Sequence, residues 1–235
     1  MLKNNVSMEE LKEYLNLFFE TYEIPGMFRY QYEQNYLNIF NDKVIDSQIA
    51  QFYKEYDLLS EEADMYKAFA DIIKHKHPNL SNKTILDVGG GMIPQLGREL
   101  AKEAKHVMVI DRNMVFKNNP DNLEPIKRRI ESIKDLPTAD IIVGLLPCEL
   151  TKQIIDYSVS KTKDFLIALC GCKHSLGLDD TTVMRLNMIW KPQNTAEKYE
   201  QYAMYKIQEN PKLGDIAIYD SPYQFPNDVI GNKRR

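Results

Sequence analysis

Ile85-Leu86-Asp87-Val88-Gly89-Gly90-Gly91-Met92-Ile93-Pro94-Gln95-Leu96-Gly97 is the stretch on which the fold of this 235-residue chain turns. An apolar run containing one acid reads as a buried strand. Three consecutive glycines then make a tight turn, and Pro94 can open a helix at its first turn, where the missing N–H costs nothing. Glycine lets a ligand approach the main chain, and the free N–H groups at a helix start favour an anionic group. A plain glycine turn is the simpler reading, but three glycines directly behind an acidic strand end are more than a turn requires.

Outward from this turn, toward the C-terminus, short apolar runs bounded by turn residues alternate with helical stretches, the pattern of a parallel sheet with crossover helices. Strands are predicted near 84–88, 106–110, 129–133, 140–146, 164–170, 214–219 and 228–232, and helices near 94–104, 150–160 and 194–210. Asn194 with Glu197 three residues later caps the last helix. Residues 113–125 are rich in Asn and Pro, so any crossover helix there is short. A short Pro-rich turn joins the last two strands, which should therefore run antiparallel. Toward the N-terminus the character changes. Ser7 with Glu10 forms a capping box for a helix carrying Met8, Leu11, Leu15, Phe18 and Tyr22, which Pro25-Gly26 ends. Ser60-Glu61-Glu62 starts another, which His77-Pro78-Asn79 stops. The expected organisation is an N-terminal helical cap over 1–79 and an α/β domain over 80–235.

Composition is compatible with one folded domain and an appendage. Hydrophobic residues make up 43% and charged residues 27%, which excludes the low-hydrophobicity, high-charge signature of disorder. No apolar run is long enough for a bilayer, and Met1–Glu10 has no apolar stretch of the signal-peptide kind. Cys148, Cys170 and Cys172 cannot all pair within one chain. A cytoplasmic protein with no membrane partner is the expectation. A net charge of -4 gives no global attraction for nucleic acid, although Lys127-Arg128-Arg129 and the Lys233-Arg234-Arg235 tail are local basic clusters.

On Asp87, Gly89 and Gly91 the sequence resembles the class I S-adenosylmethionine-dependent methyltransferases, whose first motif is acidic-x-Gly-x-Gly-x-Gly or a variant; Ile93 stands at the third glycine. The resemblance runs from about Lys83 to the C-terminus. It implies a three-layer αβα Rossmann-like sheet, mostly parallel with the last strand antiparallel, and S-adenosylmethionine as cofactor, with S-adenosylhomocysteine as product. The loop Gly89-Gly90-Gly91 would hold the methionine portion and Asp87 would place its amino group. A second motif agrees. Val107-Met108-Val109-Ile110-Asp111 is an apolar strand ending in an acid about twenty residues past the glycines, so Asp111 would accept hydrogen bonds from the ribose hydroxyls. Ser132 and Ile133 fall where the family contacts adenine, with Ser132 in place of a frequent acid, and Leu146 is a further candidate for binding the cofactor. A nicotinamide-dependent oxidoreductase is the competing enzyme class. It needs Gly-x-Gly-x-x-Gly, and counting from Gly89 puts Pro94 at the third glycine. A non-catalytic protein that keeps the fold and the cofactor site is the other alternative.

Methyl transfer is an in-line displacement, in which positioning matters most and a base can assist. The acceptor, a small molecule or an RNA, should lie over the ends of the fourth and fifth strands. That places Pro147-Cys148-Glu149 and Cys170-Gly171-Cys172-Lys173-His174 at the rim. The two strings resemble those of a methyltransferase group that includes tRNA ribose methyltransferases, while the Asn/Asp-Pro-Pro-Tyr/Phe string of amino-group methyltransferases is replaced by Leu146-Pro147-Cys148-Glu149. Glu149 and His174 are the candidates for acceptor binding or proton removal; Glu149 could instead start the following helix, and His174 could be a plain loop residue. Cys148, Cys170, Cys172 and His174 have the donor types for zinc, but small cysteines packed at strand ends are the commoner arrangement, and no metal is assigned. Eight of the fourteen tyrosines precede Lys67. They either line a lid over the acceptor, with Arg29, Tyr30, Tyr32 and Tyr36 at its edge, or pack the helices together.

Overall fold

The computed structural model describes residues 6–30, 33, 49, 52–53, 56, 58, 65–115, 119–170, 176–219 and 228–234. Contacts divide the chain into two compact units, Met1–Tyr66 and Lys67–Arg235. In the first, helix α1 spans Met8–Thr21, and the Ser7 side chain caps it by accepting from the Glu10 N–H. The face Leu11, Leu15, Phe18 and Phe19 is buried, as the spacing predicts. Phe52 packs edge-on against Phe18 and Tyr22, and the Tyr53 hydroxyl donates to the Leu11 carbonyl at 2.9 Å. These aromatics therefore build the unit's own core. Tyr32, Tyr36 and the cap at Ser60 lie outside the described residues.

Helix α2, Met65–Lys76, has all but its first two residues in the second unit. The seven strands of that unit are β1 Thr84–Val88, β2 His106–Asp111, β3 Leu123–Lys127, β4 Ile141–Leu145, β5 Asp164–Ala168, β6 Asp215–Ile218 and β7 Val229–Lys233. They form one sheet in the order β3-β2-β1-β4-β5-β7-β6. β1 to β5 pair in parallel, while β7 runs antiparallel to both β5 and β6. Helices α3 Gln95–Ala101, α4 Thr151–Lys161, α5 Asp180–Ile189 and α6 Thr195–Glu209 complete the unit. Alternation along β2 sorts the layers. Val109 faces α3, whose Gly97 lies so close that an added Cβ would stand 2.4 Å from Val109 Cγ2. Ile110 faces the other way, into the core that Leu86, Ile142, Phe165 and Ile167 share with Ile154 of α4 and Tyr199 and Tyr202 of α6. Parallel strands covered on both faces are apolar throughout, which is why β1, β2 and β4 read as continuous hydrophobic runs. The expected fold class, a three-layer αβα Rossmann-like sheet, is the one observed.

Two local expectations are corrected. There is no strand at 129–133. The third strand is Leu123–Lys127, which overlaps the Asn- and Pro-rich stretch 113–125, where the sequence allows only a short crossover helix. It tolerates Pro125 because, among the described residues, it is an edge strand paired only with β2, so a missing N–H on its outer side costs nothing. The chain instead turns after Arg128, whose N–H donates to the Asp111 carbonyl. Helix α5 was not expected. Its apolar residues do not form one buried stripe: Leu186 is buried, while Met184, Met188 and Ile189 are exposed. Asp179, accepting from the Thr182 N–H, starts it. Among the described residues no helix is long and apolar enough to cross a membrane.

Candidate functional site

The sheet order reverses between β1 and β4, and in an open α/β sheet ligands bind outside the C-terminal strand ends at that point. The loops after these two strands meet there. A Cβ on Gly89 would lie 3.4 Å from Leu150 Cδ1 and 3.6 Å from Pro147 Cα. Gly89 and Gly91 have φ of 75° and 80°, in the region that favours glycine, so the Gly-x-Gly spacing is a conformational requirement. Gly90 is required for room: a Cβ there would stand 2.2 Å from Val109 Cγ1 and 2.9 Å from Asp87 Oδ2. The Gly89 N–H donates to the Ile110 carbonyl, which ties the loop to β2.

Asp111 closes this loop from the side. Its Oδ2 accepts from the Gly91 N–H at 3.1 Å and its Oδ1 from the Asn113 N–H at 2.7 Å. A carboxylate has about four lone-pair sites, so each oxygen keeps capacity for a hydroxyl donor. Asp87, beneath the loop, is fully buried, and neither of its oxygens has a hydrogen-bond partner among the described residues. Burial, and then the like charge of Asp111, push its carboxyl up to about 8. A buried acid without a donor conflicts with what a stable core requires, so the pair of oxygens fits a cationic or N–H-bearing ligand group.

Beyond β3, Ser132 caps the short 3-10 turn Ile133–Asp135, accepting from the Lys134 N–H while Asp135 accepts from the Ser132 N–H. The main-chain donors of Ser132 and Glu131 hold the Asp135 carboxyl below the usual carboxylate range. Ser132 is exposed and Ile133 half-buried against the core. Beyond β4, Leu146 and Cys148 adopt φ of 52° and 49°, a left-handed conformation that non-glycine residues rarely take. The strain is held by bonds on either side: the Leu146 N–H donates to the Ala168 carbonyl, and the Thr151 hydroxyl to the Cys148 carbonyl. Glu149 lies exposed in the 3-10 turn Cys148–Leu150 ahead of α4.

The fold thus brings Asp87, Gly89, Gly90, Gly91, Asp111, Ser132, Ile133, Leu146 and Glu149 to the C-terminal edge of one sheet. His174 and Cys172 lie outside the described residues. Cys170 is buried just beyond β5, and no metal-binding cluster occurs among the described residues. Sequence reasoning missed Tyr199, buried on α6 within electrostatic reach of Cys148; burial, and then Cys148, raise its phenol above the usual value. It also missed Gly144 in β4, where a Cβ would meet Ile154 Cδ1 at 2.6 Å. A lone glycine inside a buried strand was the available signal for Gly144; Tyr199 had none.

No family model matches the sequence, and no curated protein matches it. Among solved structures the chain is similar to a magnesium protoporphyrin IX methyltransferase from Synechocystis with bound SAH, at 14% identity over 73% of this chain and 84% of that one, TM-score 0.44. It is also similar to an N-methyltransferase from Bradyrhizobium japonicum, at 13% identity over 75% and 99%, TM-score 0.42. A third is a precorrin 8W decarboxylase from Methanobacterium thermoautotrophicum, at 16% identity over 70% and 89%, TM-score 0.41. The likeness is one of fold alone.

Proposed function

We propose that the chain is an S-adenosylmethionine-dependent methyltransferase acting on a small-molecule or RNA acceptor. The observation that carries this reading is the pairing of two acids around one glycine loop: Asp87, buried without a donor, and Asp111, held by the Gly91 N–H with lone pairs to spare. An ammonium answers the first and a ribose diol the second, and S-adenosylmethionine carries both. The sheet supports the same choice. A dinucleotide-binding sheet continues past its fifth strand with a sixth parallel one, whereas here antiparallel β7 is inserted between β5 and β6. Pro94 stands where the dinucleotide motif has its third glycine, and the glycine that lets the helix approach the sheet is Gly97.

When bound, the cofactor supplies a methyl group on a sulfonium, which transfers by displacement with the acceptor atom in line. The chain's contribution is placement. Asp87 and Asp111 fix two parts of the ligand, Gly90 lets the loop close down on Val109 and Asp87, and Ile133 offers an apolar edge for the base. Leu146 and Cys148 hold the loop after β4 in one conformation, so that Glu149 meets the acceptor at a fixed position and either orients its nucleophile or accepts its proton. His174 is the second candidate for that role. Calorimetric titration of wild type and Asp111→Ala with S-adenosylhomocysteine, with NAD as the control, tests the reading. Saturable wild-type binding that weakens about tenfold or more in the variant is expected, since a hydrogen bond to a charged group is worth about 1.5–3 kcal/mol. Binding of NAD in preference to S-adenosylhomocysteine would return the chain to the oxidoreductase class.

A further inference from the structure

Asp87 has no exposed surface, and among the described residues no group donates a hydrogen bond to it. Its register neighbours are Val109 on β2 and Val143 on β4, both apolar. Gly90 covers it with backbone, at a distance where even a methyl group would touch Oδ2. Among the described residues the charge that acts on it is Asp111 at the end of β2, which is of the same sign and is fastened to the same loop by the Gly91 N–H. A carboxylate so enclosed relieves the cost of its charge by keeping its proton.

We propose that Asp87 makes cofactor binding a proton-releasing event: its carboxyl keeps its proton until a cationic amino group arrives over the glycine loop that covers it, and that proton then leaves to solvent. The balance is one carboxylic acid and one ammonium giving one carboxylate–ammonium pair and one free proton. The inference rests on the reading of the chain as a binder of S-adenosylmethionine. Burial and Asp111 push Asp87 up to about 8, so near neutrality the acid form prevails and the ligand must draw out the ionised one. Binding lowers that value. Affinity for an amino-acid-bearing ligand should therefore rise about tenfold per pH unit through the neutral range and level off above the free carboxyl's value. The enzyme's hold on its methyl donor would track pH across the range in which cells operate, while a ligand without the amino group would be indifferent to it.

Titration calorimetry of the full chain with S-adenosylhomocysteine at about pH 7, in phosphate and in Tris, counts the protons released, because the two buffers differ widely in ionisation enthalpy. About one proton per ligand is expected for wild type, and about none for Asp87→Asn. None is expected for 5′-methylthioadenosine, which carries the same nucleoside without the amino acid. Equal heats for S-adenosylhomocysteine in the two buffers would overturn the proposal and leave the methyltransferase reading standing; absence of binding by either adenosine ligand would overturn both. Thermal unfolding of the protein alone reads the same proton should Asp87→Asn bind too weakly to titrate. A folded-state value raised above the unfolded one costs stability as pH rises, so the melting temperature of Asp87→Asn should gain on wild type between about pH 5 and 8. A difference that stays constant with pH would overturn the proposal.

Discussion

Asp87 and Asp164 both belong to the central sheet, near the C-terminal end of β1 and at the start of β5, and their surroundings are opposite in kind. Asp87 has no donor and its carboxyl is pushed up. Burial acts on Asp164 in the same direction, but hydrogen bonds from Asn232 at 2.8 Å and Arg234 at 2.7 Å, with the charges of Arg234 and Lys76, outweigh it and hold the carboxyl below the usual range. Asn232 is the centre of that second cluster. Fully buried on β7, it accepts from the Phe165 N–H and from Lys76 Nζ, and donates to Asp164 and to the Leu213 carbonyl. One edge of the sheet thus satisfies every group of its central polar side chain, and the other leaves a buried acid unanswered. Local inconsistency of the second kind is what a binding site can afford and a stabilising one cannot.

The largest effect should come from the satisfied edge. Asn232→Ala strips four partners at once and leaves the Phe165 N–H and the Leu213 carbonyl buried without replacements. About 3 kcal/mol or more of stability should be lost in urea unfolding, at 1–3 kcal/mol per orphaned group. Affinity for S-adenosylhomocysteine measured on the folded fraction should be unchanged. A variant that unfolds no more easily than wild type would break the comparison.

Gly90→Ala tests the other edge. The added methyl must displace Val109 Cγ1 and crowd Asp87 Oδ2, which should cost about 1–3 kcal/mol as an overpacked site and weaken S-adenosylhomocysteine binding at the same time. Joint loss of stability and affinity separates this glycine from Asn232, where stability alone should fall.

Opposite pH slopes follow from the same contrast. Lys76 donates to the Phe165 carbonyl at 3.0 Å, and burial lowers its ammonium to about 7, against the attraction of Asp164. The folded state therefore binds fewer protons than the unfolded one between about 7 and the ordinary lysine value, and stability rises with pH across that window. Lys76→Met should flatten the rise. Urea midpoints at a series of pH values would check this, and an unchanged alkaline limb would show that Lys76 is solvated.

How much of this was legible follows from where the information sits. Asp87, the glycines and Asp111 lie in one contiguous βαβ segment, where spacing alone carries chemistry, and the capped helices α1 and α6 announced themselves by Ser7 and Asn194. The Asn232 cluster was invisible because its members come from α2, β5, β7 and the turn ahead of β6, and only the pairing of β5 with β7 assembles them. β3 was misplaced because Pro125 reads as a breaker unless the strand is known to be an edge. Tyr199 comes within electrostatic reach of Cys148 through the packing of α6, which periodicity places on a face but not beside a particular loop.

The smallest effect is expected at Ser132, on the site edge yet exposed. Its side chain accepts from the Lys134 N–H at 3.2 Å, so Ser132→Ala should cost about 1 kcal/mol, the usual worth of a cap. Asp135 still ties down the Glu131 and Ser132 N–H groups, so the turn should loosen without melting. If Ile133 offers its edge to the base, that loosening should weaken 5′-methylthioadenosine and S-adenosylhomocysteine by the same few-fold factor, with the proton count for the latter unchanged. The base and the amino acid would then be held by separate parts of the rim. A larger loss for S-adenosylhomocysteine than for the nucleoside alone would mean that the turn after β3 is coupled to Asp87 through the glycine loop, with Asp111 as the group they share.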